Sequence, residues 1–568
     1  MKARAAKFGP VCTAIVLFLY AMWKIRLGIH SDEAHSIAVG DMIAGGVSFF
    51  KECWFYLQMS SVFTAPIIYI YESLVGSRTG ILLLFRVISV CIQSGICWYF
   101  YVTFKERYHK GYVLAAAVLL FTFIPDFQSF TYKQELIWLT SLEIIFLYRY
   151  YISSKRKYIV FLGLMIAAGV LAYPTAILEF PVCIFVLYLL HKDMPRSKEN
   201  WLKSCIIVTL TCMVCAVFFL AFIFSQISLS EFIEYFPRVF TDDNLDSSFI
   251  TKLGHPIIKF AILGLATLIP IILCEKIEVI KRILQKIPVP VVTVLLVSAF
   301  AGQVYIERRG ITWHCITYAY ALTIFIVPYI YCLNKGKEKT LFYTFEIFAI
   351  MLVFCIALAS NQGNITSMYG TLFSAVGLIL ILGDRDISEG VVFKEKKWIA
   401  LCLTVCALSM YMFPVYEQEA VMPDLGARTI FTGRVMVQEG PAKGIAMGRE
   451  TYQSYINLCE TVDENVTEND LLFIIDDEYT ASYGYLASRG KYATYSPQGG
   501  WGLAESDRAV GYFTENPQRM PTVVLIRSEY IDQDIDVYLA ETPVGNYLNE
   551  NGYAVVTDRT GYIVMRSE

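Results

Sequence analysis

Charge is scarce in this sequence. Asp, Glu, Lys and Arg make up 17% of its 568 residues while hydrophobic residues make up 56%, and the mean hydropathy is +0.51. A soluble chain of this length needs more polar surface than that, so a soluble fold is excluded. The net charge of −3 leaves no basic excess for nucleic acid. A disulfide framework is missing too. The 15 cysteines lie almost all inside apolar runs, where they read as small core residues. There is no internal repeat, no low-complexity tract and no Gly-rich phosphate loop. His30 and His35 do not have the spacing of a zinc motif. The stretch DDNLD (242–246) lacks the glycine and distal glutamate of an EF-hand. The opening MKARAAK and the apolar run behind it resemble a signal peptide. That run continues to about residue 29 without a small-residue cleavage site, so an uncleaved first span is expected.

Long apolar runs are what the chain has in abundance. They fall near 8–29, 59–76, 79–104, 111–125, 135–151, 158–172, 175–190, 202–227, 255–274, 288–304, 314–333, 341–359, 366–383 and 397–414. Most approach the roughly 20 residues needed to cross a hydrocarbon core. They are continuous and not alternating, which selects helices over barrel strands. Basic clusters between them (KERYHK, SSKRK, HKDMPRSKEN, NKGKEK) alternate consistently with one another but conflict with MKARAAK, so one run does not span. The run 59–76 is short and carries Pro66 and Glu72; it is expected to lie on the outer side. Cytoplasmic segments then hold about 25 Lys/Arg and outer loops about 9, a positive-inside bias.

The expected fold is an all-α polytopic domain of about 13 transmembrane helices over 1–414. Its N-terminus is cytoplasmic, and an extracytoplasmic α/β domain over 415–568 follows. That tail has about 24 Asp/Glu against about 11 Lys/Arg. Its β-rich stretches LLFII (471–475), TVVLI (522–526) and YAVV (553–556) alternate with helical ones such as 449–462. Residues 35–58 are too polar to span and are expected to form an amphipathic helix on the outer membrane face. Cys53 and Cys459 are expected to be reachable from outside.

Polar residues gather in the outer loops. The first loop holds His30, Asp32, Glu33, His35, Asp41 and Glu52; the next holds Asp126, Lys133 and Glu135; a later one holds Glu307, Arg308, Arg309 and His314. Two adjacent acids at the mouth of a span, Asp32 and Glu33, are less easily explained as mere solvation than one. Arg308 and Arg309 run against the positive-inside rule, which points to an anionic partner. A cavity of such loops offers a base and a bidentate phosphate grip. Glu143, Glu179 and Glu346 lie inside spans, where acids are functional candidates or protonated packing groups.

A first span followed by an outward Asp32-Glu33-Ala34 resembles the GT-C superfamily of glycosyltransferases that use lipid-phosphate sugars, in particular bacterial members of the protein mannosyltransferase and aminoarabinose transferase type. FRVISV (85–90) is similar to the family's Arg-x-x-Ser, here Arg86 and Ser89. TYKQELIWL (131–139) is similar to its Tyr-x-Gln-Glu, ending at Glu135, and LAYPTAILEFP (171–181) looks like its Pro-Thr-Ala segment. Leu136 and Ile137 stand where many relatives have Arg and an aromatic residue.

The resemblance implies a polyprenyl-phosphate sugar donor with its phosphate at the outer interface, and a glycan, lipid or protein acceptor. It implies Asp32 as the base of an inverting transfer, with Glu33 and Glu135 as further catalytic acids. Arg308, Arg309 and Lys133 are the expected phosphate ligands, and His35 and Asp126 further lining of the outer cavity. No cofactor is expected; a divalent ion on Asp32, Glu33 and Glu135 is conceivable but not favoured. A transporter or flippase of lipid-linked sugars would want repeats and broken central helices. A non-catalytic scaffold would not notice the loss of Asp32.

Overall fold

The computed structural model describes residues 2–124, 128–193, 201–240, 249–277, 279, 312–333, 339–359, 369–384, 396–412, 414–416, 427–431, 433–476, 481–497, 507–529, 534–559 and 561–567. Helices dominate the first part. They are α1 (Lys2–Lys24), α2 (Ser31–Ala44), α3 (Ser61–Val75), α4 (Ile81–Phe104), α5 (Lys110–Thr122), α6 (Tyr132–Ser153), α7 (Arg156–Ala172), α8 (Glu179–Asp193), α9 (Trp201–Phe224), α10 (Leu229–Tyr235) and α11 (Phe249–Lys276). Four more follow at Thr312–Leu333, Ile347–Leu358, Thr371–Leu382 and Lys396–Met412.

Among the described residues, five helical segments are long and apolar enough to cross a membrane: Ile81–Phe104, Pro174–Asp193, Trp201–Phe224, Ile250–Ile269 and Lys339–Leu358. α9 presents Val217 and Phe218 outward, as a lipid-facing helix does. The expected span at 288–304 lies outside the described residues.

α2 and α3 are built differently. α2 starts where His30, in an extended conformation, caps it by accepting a hydrogen bond from the Asp32 amide at 3.2 Å. α3 ends at Gly76, whose φ of 73° is the left-handed conformation that closes a helix C-terminus. The two helices pack directly on one another. A side chain at Gly40 would run into Thr64 and Ile68, so only glycine permits this approach.

The expectation of a surface helix over 35–58 is corrected here. Eleven of the fourteen residues of α2 are buried, and the chain after Ala44 leaves the helix in turns. A helix whose neighbours cover it on several sides needs no polar stripe. Cys53, expected to be reachable, is fully buried.

The run 59–76 does lie on one side. Trp54, before α3, donates its backbone N–H to the carbonyl of Tyr495 at 3.0 Å. Arg78, after it, donates to the carbonyl of Ser488 at 2.7 Å. Both flanks of α3 therefore touch the same C-terminal body.

That body begins with short strands β1 (Pro414–Tyr416), β2 (Ala427–Thr429), β3 (Val435–Met436) and β4 (Ala446–Met447). It continues as a five-stranded sheet of β5 (Leu471–Ile475), β6 (Lys491–Tyr492), β7 (Val523–Arg527), β8 (Tyr553–Arg559) and β9 (Tyr562–Ser567), in the order β6-β5-β7-β9-β8. β5 runs parallel to β6 and β7, while β9 is antiparallel to β7 and β8. The central strands read LLFII and VVLIR. Unbroken apolar runs of this kind suit strands covered on both faces. Trp54 from the first loop enters this core, stacked on Tyr495 at 5.7 Å and edge-on to Tyr512 at 5.0 Å.

Candidate functional site

The hinge between α1 and α2, residues 25–30, leads into the acids in the first turn of α2 and is gripped from two directions. From the helical bundle, Arg86 of α4 donates Nη1 to the carbonyl of Ile25 at 2.7 Å and Nη2 to that of Gly28 at 3.0 Å. From the C-terminal body, Ala446 forms a bridge with Leu27: Gly28 N–H donates to its carbonyl at 2.8 Å, and its own N–H donates to Arg26 at 2.7 Å. Tyr483 adds a third contact, its hydroxyl donating to the His30 carbonyl at 3.0 Å. The backbone that presents Asp32 is thus fixed on both sides.

The adjacent acids have different environments. Glu33 is fully buried in a bidentate pair with Arg86, Nε to Oε1 at 2.7 Å and Nη2 to Oε2 at 2.6 Å. With both carboxylate oxygens engaged, Glu33 has a positioning geometry and does not reach an open cleft. Asp32 keeps 32% of its side chain exposed and faces Lys133 Nζ at 3.3 Å. Burial pushes its carboxyl up, but Lys133, His30 and His35 outweigh that and hold it below the ordinary carboxylate range. Asp32 is therefore ionised at neutral pH and open on one side, as a proton acceptor must be.

Lys133 and Glu135 come from the first turn of α6. Thr131 caps that helix, accepting from Gln134 N–H at 3.3 Å. Helix geometry thereby brings Lys133 to Asp32 across 101 residues of sequence. Glu135 is buried, and its Oε2 has no hydrogen-bond partner among the described residues. Further along α6, Gln134 and Trp138 both donate to Gln93 of α4.

His35 lies one turn after Asp32 on α2. It is buried edge-on to Phe55 at 4.5 Å, and neither ring nitrogen has a partner among the described residues. Burial pushes its pKa down to about 4 against the pull of Asp32, so the ring is neutral. Asp126, Arg308 and Arg309 lie outside the described residues. Among the described residues, no group of three or more His, Cys, Asp or Glu side chains is placed to hold a metal ion.

Asp41 and Glu52, from the same first loop, tie it to the C-terminal body. Asp41 pairs with Arg78 Nε at 2.7 Å and accepts from the Tyr492 hydroxyl. Burial nonetheless pushes its carboxyl up to about 6. Glu52 accepts from Arg519 Nε at 2.9 Å and from Ser48. Of the intramembrane acids, Glu143, Glu179 and Glu346 are all fully buried, and Thr140 donates to Glu179 at 2.9 Å. Arg86 was marked in the sequence only by the resemblance of FRVISV to Arg-x-x-Ser; its pairing with Glu33 had no signal. The grips by Ala446 and Tyr483 had none.

No protein-family model and no curated protein matches the chain. Solved structures do. ArnT from Cupriavidus metallidurans bound to undecaprenyl phosphate superposes with a TM-score of 0.51 at 12% identity, over 100% of this chain and 98% of that one. The likeness is one of fold: the chain has the fold of that ArnT structure. Apo ArnT gives a TM-score of 0.43 at 12% identity, covering 100% and 99% of the two chains. The oligosaccharyltransferase AglB from Archaeoglobus fulgidus, in complex with an inhibitory peptide and a dolichol-phosphate, gives 0.46 at 13% identity, covering 99% and 75%.

Proposed function

We propose that this chain is an integral membrane glycosyltransferase. It moves a sugar from a polyprenyl-phosphate donor to an acceptor hydroxyl at the outer face of the membrane, with inversion. The observation that carries this reading is Asp32: an ionised, part-exposed carboxylate on a hinge held from two sides, one contact away from a lysine. The GT-C fold and the undecaprenyl phosphate bound to ArnT support the donor class.

In the proposed step Asp32 takes the proton of the acceptor hydroxyl as its oxygen attacks the anomeric carbon. The bond from that carbon to the phosphate oxygen breaks, and the electron pair leaves on the lipid phosphate. Lys133 is the cation beside the base that offsets this charge. Arg308 and Arg309 join it on the sequence argument alone, and their joint change to alanine is expected to cause a steep loss of turnover. Glu33 acts as a positioning residue through Arg86, and Glu135 lines the donor side of the cleft. No metal takes part in the proposed step, so activity is expected to survive chelation; abolition by a chelator with rescue by Mg²⁺ or Mn²⁺ would instead make the carboxylates ligands.

The test is purified protein incubated with a panel of polyprenyl-phosphate sugars, comparing wild type with Asp32→Asn. Normal insertion and abundance with turnover reduced by roughly two to four orders of magnitude is expected for the loss of a general base. Near-normal turnover in Asp32→Asn would remove the base assignment and favour a carrier or scaffold role.

A further inference from the structure

We propose that His35 is the sugar contact of this site, an imidazole that hydrogen-bonds a neutral hydroxyl of the glycosyl group on the lipid donor. The inference rests on the reading of Asp32 as the base and adds the group that recognises what is transferred.

The residues around His35 make it unusual. Its neighbours on α2, Ala34, Ile37, Ala38 and Val39, are apolar and at most 1% exposed. An apolar side chain at 35 would complete the same packing against Phe55. Instead the position holds an imidazole, 5% exposed, with both nitrogens unpartnered among the described residues. A buried polar group without a partner loses its hydration and gains nothing in return, so the fold is less stable for keeping it. Residues that break a local rule without structural return are expected at functional sites.

The chemistry of the ligand follows from charge. His35 is three residues after Asp32, hence on the same side of α2, and it feels the Asp32 carboxylate. A phosphate beside that carboxylate is repelled unless a cation intervenes, and the cation, Lys133, sits on Asp32 itself. A neutral imidazole offers one donor and one acceptor. A hydroxyl can pair with whichever ring nitrogen faces it, donating to the bare nitrogen or accepting from the N–H; an anion can pair only with the N–H. The site is thereby divided: Lys133 serves the phosphate, and His35 serves a sugar hydroxyl.

The test compares binding of two probes to the full-length protein in detergent or nanodiscs. One is sugar-free polyprenyl phosphate; the other is the tightest-binding member of a panel of polyprenyl-phosphate hexoses and pentoses. His35→Leu is expected to weaken the sugar-bearing lipid by about 10- to 100-fold, the size of one lost hydrogen bond in a buried site. It should leave sugar-free lipid phosphate within about twofold of wild type on the same scale, and leave thermal stability unchanged or higher. Unchanged affinity for the sugar-bearing lipid overturns the proposal. So does an equal loss for both lipids, which would make His35 part of the phosphate site, and so does a drop in stability alone, which would make it packing. Because these readouts are binding and melting, they stand apart from the turnover of Asp32→Asn, which tests the base by itself.

Discussion

Asp32 and Glu33 are the same kind of side chain one bond apart in sequence, yet their environments assign them different work. Glu33 and Arg86 are both fully buried and share two short hydrogen bonds. Glu33→Gln leaves the guanidinium buried without its counter-charge, and breaking such a pair costs about 3–5 kcal/mol. The expected result is a lower yield of folded protein and a lower melting temperature, whereas Asp32→Asn leaves both intact; a normal melting curve for Glu33→Gln would deny the positioning role. The pH dependence separates the base from its histidine neighbours. The folded pKa of Asp32 lies below its ordinary value. Its base form therefore persists on acidification and is lost only as pH falls through that depressed pKa. The acid limb of kcat/KM is expected below about pH 4, the ordinary carboxylate value. A limb well above that value would take the role away from Asp32.

At the scale of elements, α2 and α3 decide how the first loop sits. α3 has 15 residues, about 22 Å of helix. Its flanking residues Trp54 and Arg78 both hydrogen-bond the C-terminal body, so it lies along one face. Its outer side, Tyr69, Ile70 and Leu74, is exposed and apolar, a surface suited to the bilayer interface. With the first loop and the C-terminal body sharing a face, thiol labelling reads the orientation. A cysteine placed at Arg489, whose side chain is largely exposed, is expected to react with an impermeant reagent on intact cells. One placed at Arg156, the first residue of α7, is expected to stay unlabelled until the cells are opened. Cys53 is a poor reporter because it is buried. The opposite labelling pattern would invert the topology.

At the scale of the whole molecule, the C-terminal body is joined to the site and not merely tethered beside it. Trp54 lies in its core, Ala446 pairs with the hinge, and Tyr483 holds the carbonyl of the residue that caps α2. Tyr483→Phe keeps the packing and removes one hydrogen bond, worth about 1 kcal/mol. Because the lost bond lies on the hinge of the base, a kcat reduced roughly fivefold, with donor affinity unchanged, is expected. Steady-state kinetics beside a binding curve would check it, and an unaltered kcat would confine Tyr483 to packing.

Much of this was legible from residue order. Apolar run length and basic clusters mark a helical membrane protein, because the bilayer imposes a length and forbids unpaired backbone. The run 59–76 stood out by its Pro66 and its charge parity. Asp32 and Glu135 were visible as acids at the ends of apolar runs, and LLFII and TVVLI as strands. The tertiary structure decided what depends on proximity between distant residues. Nothing local distinguishes Asp32 from Glu33; Arg86, 53 residues away, does. Nothing in the polar look of 35–58 says that α2 is buried, because its cover comes from α3 and from the helix at Ala481–Ala487. The hinge grip by Ala446 rests on backbone hydrogen bonds, which leave no mark on side-chain identity, and that by Tyr483 joins a hydroxyl to a carbonyl 453 residues away, so neither can be read before the chain is folded.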